Sequence, residues 1–180
     1  MGERIYDYNI LVSCSWGDYR RAQEEIIQIL DVLGDESPVV RRTFAQGIIG
    51  VRTRLDSRLV ISRLRELFTD DPMTIQYTSK WVPVDLWTRS DMKSMKEGIR
   101  RLKSRIDVGE TWRMTVEKRR YNQYHKTDII EELAELIEEK VDLENPEKIL
   151  RVDIIGKYAG ISVLAPRDVF SVATPYEGEE

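Results

Sequence analysis

The sequence is poor in the residues that most metal sites and many catalytic sites require. It contains one cysteine, Cys14, and one histidine, His125, in 180 residues. A disulfide framework and a cysteine-based zinc finger are therefore excluded, and a histidine-rich metal site or a Ser-His-Asp triad is disfavoured. With only 10 Gly and 6 Pro, the chain also lacks the composition of collagen-like and low-complexity proteins.

Long apolar runs and nucleotide-binding or metalloprotease motifs are missing as well. No run approaches the roughly 20 apolar residues of a membrane span, and Met1-Gly2-Glu3-Arg4 lacks the basic and apolar regions of a signal peptide. There is no GxxxxGK(S/T) loop, no GxGxxG after a strand and no HExxH. We therefore expect a cytoplasmic protein without a membrane partner, without a cofactor, metal or catalytic residue of its own, and not an enzyme.

Positive charge is concentrated in one part of an acidic chain. The net charge is −4, yet residues 87–126 hold 12 basic and 5 acidic side chains, whereas residues 127–180 hold 5 basic and 14 acidic ones. Such a block in an acidic protein indicates a surface directed at an anion. A solvated helix face would give the same composition, so charge alone leaves both interpretations open.

The first half of the chain predicts a β-α-β-β-α-β unit over residues 6–86. Alternating residues indicate a strand at 8–16, where Cys14 lies on the core face and is predicted to be a structural thiol. Helical spacing follows, then two strands around Gly47, a second helix and a last strand that reaches Pro83. Because proline cannot donate to a ladder, this last strand is predicted to be an edge strand or to end there. The pattern describes an α+β, ferredoxin-like unit.

A second unit is predicted over residues 88–168, followed by a tail at 169–180 that is expected to be frayed at its end. Its predicted elements are a basic helix at 91–105, capped by Ser90, a strand at 111–119, a helix from Thr127 to Val141, and strands at 149–155 and 160–164. In the first strand, Trp112, Met114 and Val116 point to the core and the residues between them point away.

The predicted binding residues combine cations with aromatic rings around the end of the strand at 111–119. Cations meet backbone phosphates and rings stack on unpaired bases, so this mixture is typical of RNA binding. The candidate RNA-binding residues are Arg100, Arg101, Lys103, Arg113, Lys118, Arg119, Arg120, Tyr121, Tyr124 and Lys126. A second candidate surface lies in the first unit, around Arg41, Arg42, Arg52 and Arg54.

The second unit resembles a THUMP domain, an RNA-binding module of tRNA-modifying proteins. The resemblance is carried by Thr111–Arg119, by the turn Val141-Asp142-Leu143-Glu144-Asn145-Pro146-Glu147, by Leu150–Gly156 and by Ala159–Val163. The V-D-L-x-N-P turn is its most specific part. The resemblance implies an α/β THUMP domain behind the ferredoxin-like unit, with an α-α-β-α-β-β order in which a second early helix is not visible in this sequence.

Within that group, the chain resembles the adaptor family that acts with tRNA N4-acetylcytidine acetyltransferase, because the residues after Arg167 are too few for a catalytic domain. The resemblance implies a non-catalytic protein that binds the acceptor stem and 3′ end of tRNA and presents it to a separate modifying enzyme, a cytidine acetyltransferase. The chain is short for a eukaryotic member, so an archaeal origin is expected.

Two other functions remain open at this stage. The chain could be the RNA-binding subunit of another tRNA-modifying enzyme, with an active site completed by a second chain. Alternatively, it could be a small-ligand regulatory module, since many unrelated proteins use ferredoxin-like domains. Steep salt dependence would distinguish an RNA binder from a metabolite sensor, which would show a ligand-dependent thermal shift instead.

Overall fold

The computed structural model describes residues 6–173, which form two compact α+β units. Among these residues, the first unit contains 8–83 and 167–173, and the second contains 84–166 together with Tyr6 and Asp7. The predicted domains were 6–86 and 88–168 with a tail at 169–180; the observed junction lies a few residues earlier, Tyr6 and Asp7 belong to the second unit, and residues 169–173 belong to the first. No helix of the described part combines the length and apolar character of a membrane span.

The first unit has the predicted β-α-β-β-α-β order. Its elements are β1 (Ile10–Cys14), α1 (Tyr19–Leu33), β2 (Val39–Arg42), β3 (Ile48–Arg52), α2 (Ser57–Asp70) and β4 (Thr78–Pro83). The strands form an antiparallel sheet in the order β2-β3-β1-β4. One sheet face packs against both helices, and the core between them is built from side chains such as Ile10, Val12, Ile26, Leu64 and Trp81.

Local signals explain why these helices begin and end where they do. Asp56 caps α2, because its side chain accepts a hydrogen bond from the N–H of Leu59 at 3.0 Å. Gly34 ends α1 in the left-handed region (φ 111°), which is accessible to glycine without steric cost. Cys14 is half-buried against the core, and desolvation, followed by the charge of Asp18, raises the pKa of its thiol.

The second unit is a four-stranded sheet with two helices. Its elements are β5 (Leu86–Arg89), α3 (Met92–Leu102), β6 (Trp112–Arg119), α4 (Lys126–Ala134), β7 (Lys148–Ile155) and β8 (Tyr158–Leu164). The order is β5-β8-β7-β6, in which β6 and β7 are parallel and the other pairs are antiparallel. Trp112, Met114 and Val116 contribute to the core of this unit, as the alternation predicts.

Three sequence predictions for this unit need correction. Strand β5 was not predicted, because the predicted boundary between the two units at 86–88 falls inside it. The helix predicted to reach Val141 ends at Ala134, because the chain turns there to lay Val141 beside Trp112 in a parallel bridge. The basic helix predicted at 91–105 ends at Leu102 and is followed by a single 3-10 turn at Lys103–Arg105, and the second early helix that the THUMP resemblance implies does not occur between this turn and β6.

The C-terminal segment returns to the sheet of the first unit. Phe170 and Ser171 form β9, which pairs with Trp81 and Lys80 of β4, and the Phe170 side chain is fully buried. Strand β4 therefore lies between β1 and β9, so the prediction of an edge strand is wrong, although the strand does end at Pro83. The predicted tail at 169–180 is thus ordered at its start, and Thr174–Glu180 lies outside the described residues.

Candidate RNA interface

Topology collects positive charge at one end of the sheet of the second unit. Strand β8 runs opposite to β5 and β7, and β6 is parallel to β7, so the carboxyl ends of β5, β6 and β7 lie together. We call this end the carboxyl rim and define it by the cations on the strand ends, the helix starts and the β7–β8 turn: Arg89, Lys93, Arg119, Arg120, Lys126 and Lys157.

Hydrogen bonds join the segments of the carboxyl rim. The N–H of Ser90 donates to the Lys157 carbonyl at 2.9 Å, and the Ser90 hydroxyl donates to the Gly156 carbonyl at 2.8 Å. The Gly156 N–H in turn donates to the Arg119 carbonyl at 2.9 Å. Ser90 was predicted to cap the helix; it is buried instead and fixes the spacing of the rim, while its neighbour Asp91 is the cap.

Both helices of the unit begin at this rim and direct their positive dipole ends toward it. The Asp91 carboxylate accepts the Ser94 N–H and hydroxyl at 2.8 Å each, and the backbone hydrogen bond is the main reason that the pKa of Asp91 is lowered. Helix α4 begins at Lys126 after His125, which makes no side-chain capping hydrogen bond. The dipole end and Lys126 favour an anion at this helix start, whereas Asp128 in the first turn opposes one.

Two of the predicted binding residues at the end of β6 also serve the fold. The Lys118 ammonium donates to the Tyr124 carbonyl at 2.8 Å and holds the turn before α4. The Arg119 guanidinium lies 3.5 Å from the Asp153 carboxylate, which also pairs with the buried Arg151 at 2.8 Å. Arg120 is exposed and has a left-handed backbone (φ 58°). Replacing all three cations would therefore disturb folding, and single exposed positions are better probes.

The two predicted stacking residues are partly buried. Tyr121 and Tyr124 both pack against the core of the unit, and the Tyr121 hydroxyl donates to the Ser90 carbonyl at 3.0 Å. Desolvation, with smaller contributions from Tyr124 and Asp91, raises the pKa of Tyr121 to about 12. The Tyr121 phenol thus stays protonated at neutral pH and acts as a hydrogen-bond donor within the rim.

The other four predicted residues lie at the opposite end of the sheet. Arg100, Arg101 and Lys103 are exposed at the end of α3 and in the turn after it, and Arg113 is near the start of β6. Strand β6 advances about 3.3 Å per residue, so its two ends are roughly 23 Å apart. The amino end also carries the acidic side chains of Glu139, Asp142, Glu144 and Glu147. The ten predicted residues therefore do not form one surface.

The V-D-L-x-N-P turn is hydrogen-bonded to the beginning of β6. The Asp142 carboxylate accepts the N–H groups of Glu144 and Asn145 at 3.1 and 3.0 Å, and these bonds lower the pKa of Asp142. The Asp142 N–H donates to the Trp112 carbonyl at 2.9 Å, and Arg113 donates to the Leu143 carbonyl at 3.1 Å. The most specific part of the sequence resemblance is therefore a structural turn, and Arg113 of β6 is bonded to it.

Sequence reasoning missed three cations of the carboxyl rim as binding residues: Arg89, Lys93 and Lys157. Lys93 was visible in the basic helix, but nothing marked it above its neighbours. Arg89 ends a strand that was not predicted, and Lys157 lies in the tight turn between β7 and β8. The signal that would have found them is the shared direction of β5, β6 and β7, which requires knowledge of the strand order.

The residues of the second candidate surface, in the first unit, also lie at two opposite ends of their sheet. Arg41 and Arg42 lie at the end of β2, and the Arg42 guanidinium stacks 4.0 Å from the centre of the Tyr19 ring. Arg54 lies at the opposite end of the sheet, donates to the Gly34 carbonyl and is 3.8 Å from the buried Asp35 carboxylate. Arg41 and Arg42 therefore remain together as one candidate.

A cleft of about 620 Å³ in the first unit bears on the small-ligand alternative. It is lined by α1 and by the chain after α2, and includes Arg21, Glu25, Met73 and Tyr77. The Glu25 carboxylate accepts the backbone N–H groups of residues 76–78 at 2.6–3.2 Å, so this carboxylate serves the fold. Within residues 6–173, no group of three His, Cys, Asp or Glu side chains is arranged to hold a metal ion.

Comparison with known proteins identifies the second unit. Residues 89–164 match the family model described as the THUMP domain, which is the stretch that carries the carboxyl rim. This match confirms the THUMP resemblance of the sequence and the predicted fold class. No curated protein sequence matches the chain significantly.

Solved structures share the two-unit fold at low sequence identity. PH1313 from Pyrococcus horikoshii Ot3 is 12% identical with a TM-score of 0.62, over 88% of this chain and 55% of that one. TrmN from Thermus thermophilus is 12% identical with a TM-score of 0.59, over 87% and 45%. A 4-thiouridine synthetase, solved as an RNA complex with bound ATP, is 18% identical with a TM-score of 0.50, over 88% and 41%. The chain thus spans about half the length of these structures.

Proposed function

We propose that this chain, whose residues 89–164 form a THUMP domain, binds tRNA in the service of a tRNA-modification reaction. The THUMP domain is a tRNA-binding module of tRNA-modifying enzymes, and one structure with this fold is an RNA complex. The observation that carries the proposal is the carboxyl rim, where six cations surround the starts of two helices.

The physical account of this interface is electrostatic. Phosphates of an RNA backbone are bound by fixed cations and by helix N-termini, and the counterions they release make the affinity dependent on salt. An A-form stem offers mainly phosphates and 2′-hydroxyls, so the contact follows shape rather than base sequence. The acceptor stem and 3′ end of tRNA are the region that this interface would bind, as the THUMP resemblance implies.

Binding of tRNA by the purified chain is expected in the micromolar range and to weaken steeply between low and moderate salt. The measurement is a titration of labelled tRNA at several salt concentrations, with a DNA duplex of the length of the acceptor arm as the control. Weaker binding of the DNA supports shape recognition, because DNA lacks the A-form groove and the 2′-hydroxyls. Equal affinity for the two nucleic acids would contradict it.

The finer proposal is that the chain is a non-catalytic adaptor for cytidine N4-acetylation. It binds tRNA and presents it to a separate cytidine acetyltransferase, as the adaptor family does that the sequence resembles. In this role the chain holds the tRNA in place and the partner enzyme carries out the acetylation. The distance between the bound stem and the target cytidine then determines which cytidine is acetylated. The cellular location proposed for this activity is the cytoplasm.

Acetylation of tRNA should require both proteins. With tRNA, acetyl-CoA and ATP, the chain alone is expected to form no N4-acetylcytidine, and adding it to a tRNA cytidine acetyltransferase from the same organism should raise product formation at least tenfold. Product is quantified by mass spectrometry of digested tRNA. Turnover by the chain alone would establish an enzyme, whereas an acetyltransferase that is indifferent to the chain would indicate a subunit of another tRNA-modifying enzyme.

A further inference from the structure

The first unit places two large aromatic side chains in solvent. The side chains of Trp16 and Phe44 are 78% and 63% exposed, and among residues 6–173 every other Phe, Trp and Tyr side chain is at least partly buried. Trp16 lies in the loop between β1 and α1, and Phe44 lies in the loop between β2 and β3. Such exposure gives up the stability that burial of these rings would provide, so the two positions require an explanation.

The two loops lie side by side at one end of the sheet. The N–H of Cys14 donates to the Gly47 carbonyl at 2.9 Å, which joins the end of β1 to the β2–β3 loop. Ser13 and Ile48 are direct partners in the adjacent strands. Trp16 follows this junction by two residues in one loop and Phe44 precedes it by three residues in the other, so both residues lie at the same end of the unit.

The loops beneath the rings are held firmly. The Thr43 hydroxyl donates to the Ile48 carbonyl at 2.8 Å and accepts the Ala45 N–H at 3.2 Å, which closes the β2–β3 loop on itself. Gly17 and Gly47 have φ values of 92° and 80°, a conformation that side chains with a Cβ rarely adopt. The rings are therefore carried by defined turns, which lowers the entropic cost of ordering them on a ligand.

Cations flank the two rings. Arg42 lies two residues before Phe44, its guanidinium stacks on the Tyr19 ring, and Arg20 and Arg41 are exposed at the same end of the unit. The acidic residue in these loops is Asp18. The surface thus combines aromatic planes with an excess of positive charge, which complements a nucleic acid that has bases and phosphates to offer.

We propose that Trp16 and Phe44 form a stacking platform for unpaired nucleotides of RNA, with Arg42 and its neighbouring arginines binding the phosphates. Base–aromatic stacking tolerates any sequence, because every base presents a π-face. The inference rests on the proposed RNA binding and adds to it a second contact, on the ferredoxin-like unit, that reads single strands rather than stems.

The location of other exposed apolar side chains favours RNA over a protein partner. Ile27 and Val32 lie on α1, Leu59 lies on α2 and Met73 lies in the 3-10 turn after it. The platform itself consists of two rings and cations without an aliphatic patch. Protein interfaces build their core from contiguous, charge-depleted apolar surface, whereas single-stranded RNA is bound by isolated rings beside cations.

The test compares the full chain with the double variant W16A/F44A on two probes, an unpaired ten-nucleotide RNA and a blunt RNA duplex. The double variant should bind the unpaired RNA at least tenfold more weakly, the loss expected from about one stacked base or more, and should bind the duplex as the wild type does. Trp16→Phe should retain most of the affinity, because a smaller ring still stacks. The matched control V32A/M73A, which removes two exposed apolar side chains of the same unit, should change neither affinity.

The outcomes separate this inference from the proposed function. Unchanged binding of unpaired RNA by W16A/F44A, with duplex binding intact, would overturn the platform and leave the THUMP interface standing. Failure of the wild type to bind either RNA would overturn both. Unchanged RNA binding together with loss of the acetyltransferase stimulation would assign Trp16 and Phe44 to a protein contact and so contradict the platform.

Discussion

Replacing Asp153 with alanine is expected to lower the free energy of unfolding by about 3–5 kcal/mol, the cost of leaving a buried charge without its partner. The Asp153 carboxylate accepts hydrogen bonds from Nε of Arg151 at 2.8 Å and from Nη2 of Arg151 at 3.2 Å. The two side chains are only 4% and 8% exposed, respectively. Arg119 adds a third charge at 3.5 Å. For a chain of this size the midpoint of thermal unfolding should fall by roughly 6–20 °C.

The double variant R151M/D153L is the informative companion. It removes both buried charges and fills their volume with apolar atoms, so it should be more stable than Asp153→Ala, as replaced buried ion pairs are in other proteins. Glu131→Ala, on the exposed face of α4, is the neutral control. A midpoint for Asp153→Ala within 2 °C of the wild type would show that the charges are reached by water and that the pair contributes little.

The triple variant Lys93→Ala, Arg120→Asn, Lys126→Ala should lower tRNA affinity more than any three exposed changes in the second unit that lie outside the carboxyl rim. These side chains are exposed on the carboxyl rim, and asparagine is chosen at position 120 because it tolerates the left-handed backbone there. If each cation meets one phosphate, the slope of log affinity against log salt should fall in magnitude by about 2–3, at 0.7–0.9 per contact. Folding should be unaffected, since exposed charges contribute little to stability.

A matched triple variant at the opposite end of the sheet separates a local site from net charge. Arg100→Ala, Arg101→Ala, Lys103→Ala removes the same three charges from the end of α3 and the turn after it. We expect it to change the slope by less than one contact, because this end is roughly 23 Å away along β6 and is mixed in charge. Equal effects of the two triples would show that tRNA responds to overall charge and that the carboxyl rim is not the site.

The Asp153 variants and the rim triple variant concern two neighbouring arginines with different roles, one in stability and one in RNA binding. Arg119 and Arg120 are adjacent in sequence, yet the first points to the buried Asp153 carboxylate and the second is exposed after the strand ends. A substitution at Arg119 therefore mixes a loss of stability with any loss of binding. The salt slope of a variant is interpretable only where its unfolding midpoint is that of the wild type.

The sequence alone determined both fold classes and most of the elements. Alternation in β6 and helical spacing in α1 and α2 are local properties that side-chain geometry imposes on neighbouring residues, and they can be detected without knowing the partners. The predictions were wrong where a segment distant in sequence determines the structure of an element. Helix α4 stops at Ala134 because Val141 pairs with Trp112, and β4 is covered because Phe170 returns to it from about ninety residues later in the chain.

For the candidate RNA interface, too, the sequence identified one part and the tertiary structure the other. Composition located the block of positive charge, since charge is counted without a structure, and three of its candidates, Arg119, Arg120 and Lys126, lie together on the carboxyl rim. Only the strand order shows that Arg89 and Lys157 join them and that Arg100, Arg101, Lys103 and Arg113 do not, because the direction of each strand decides which residues share an end. The sequence determined which charges the protein carries, and the tertiary structure decided which of them can meet the same phosphate backbone.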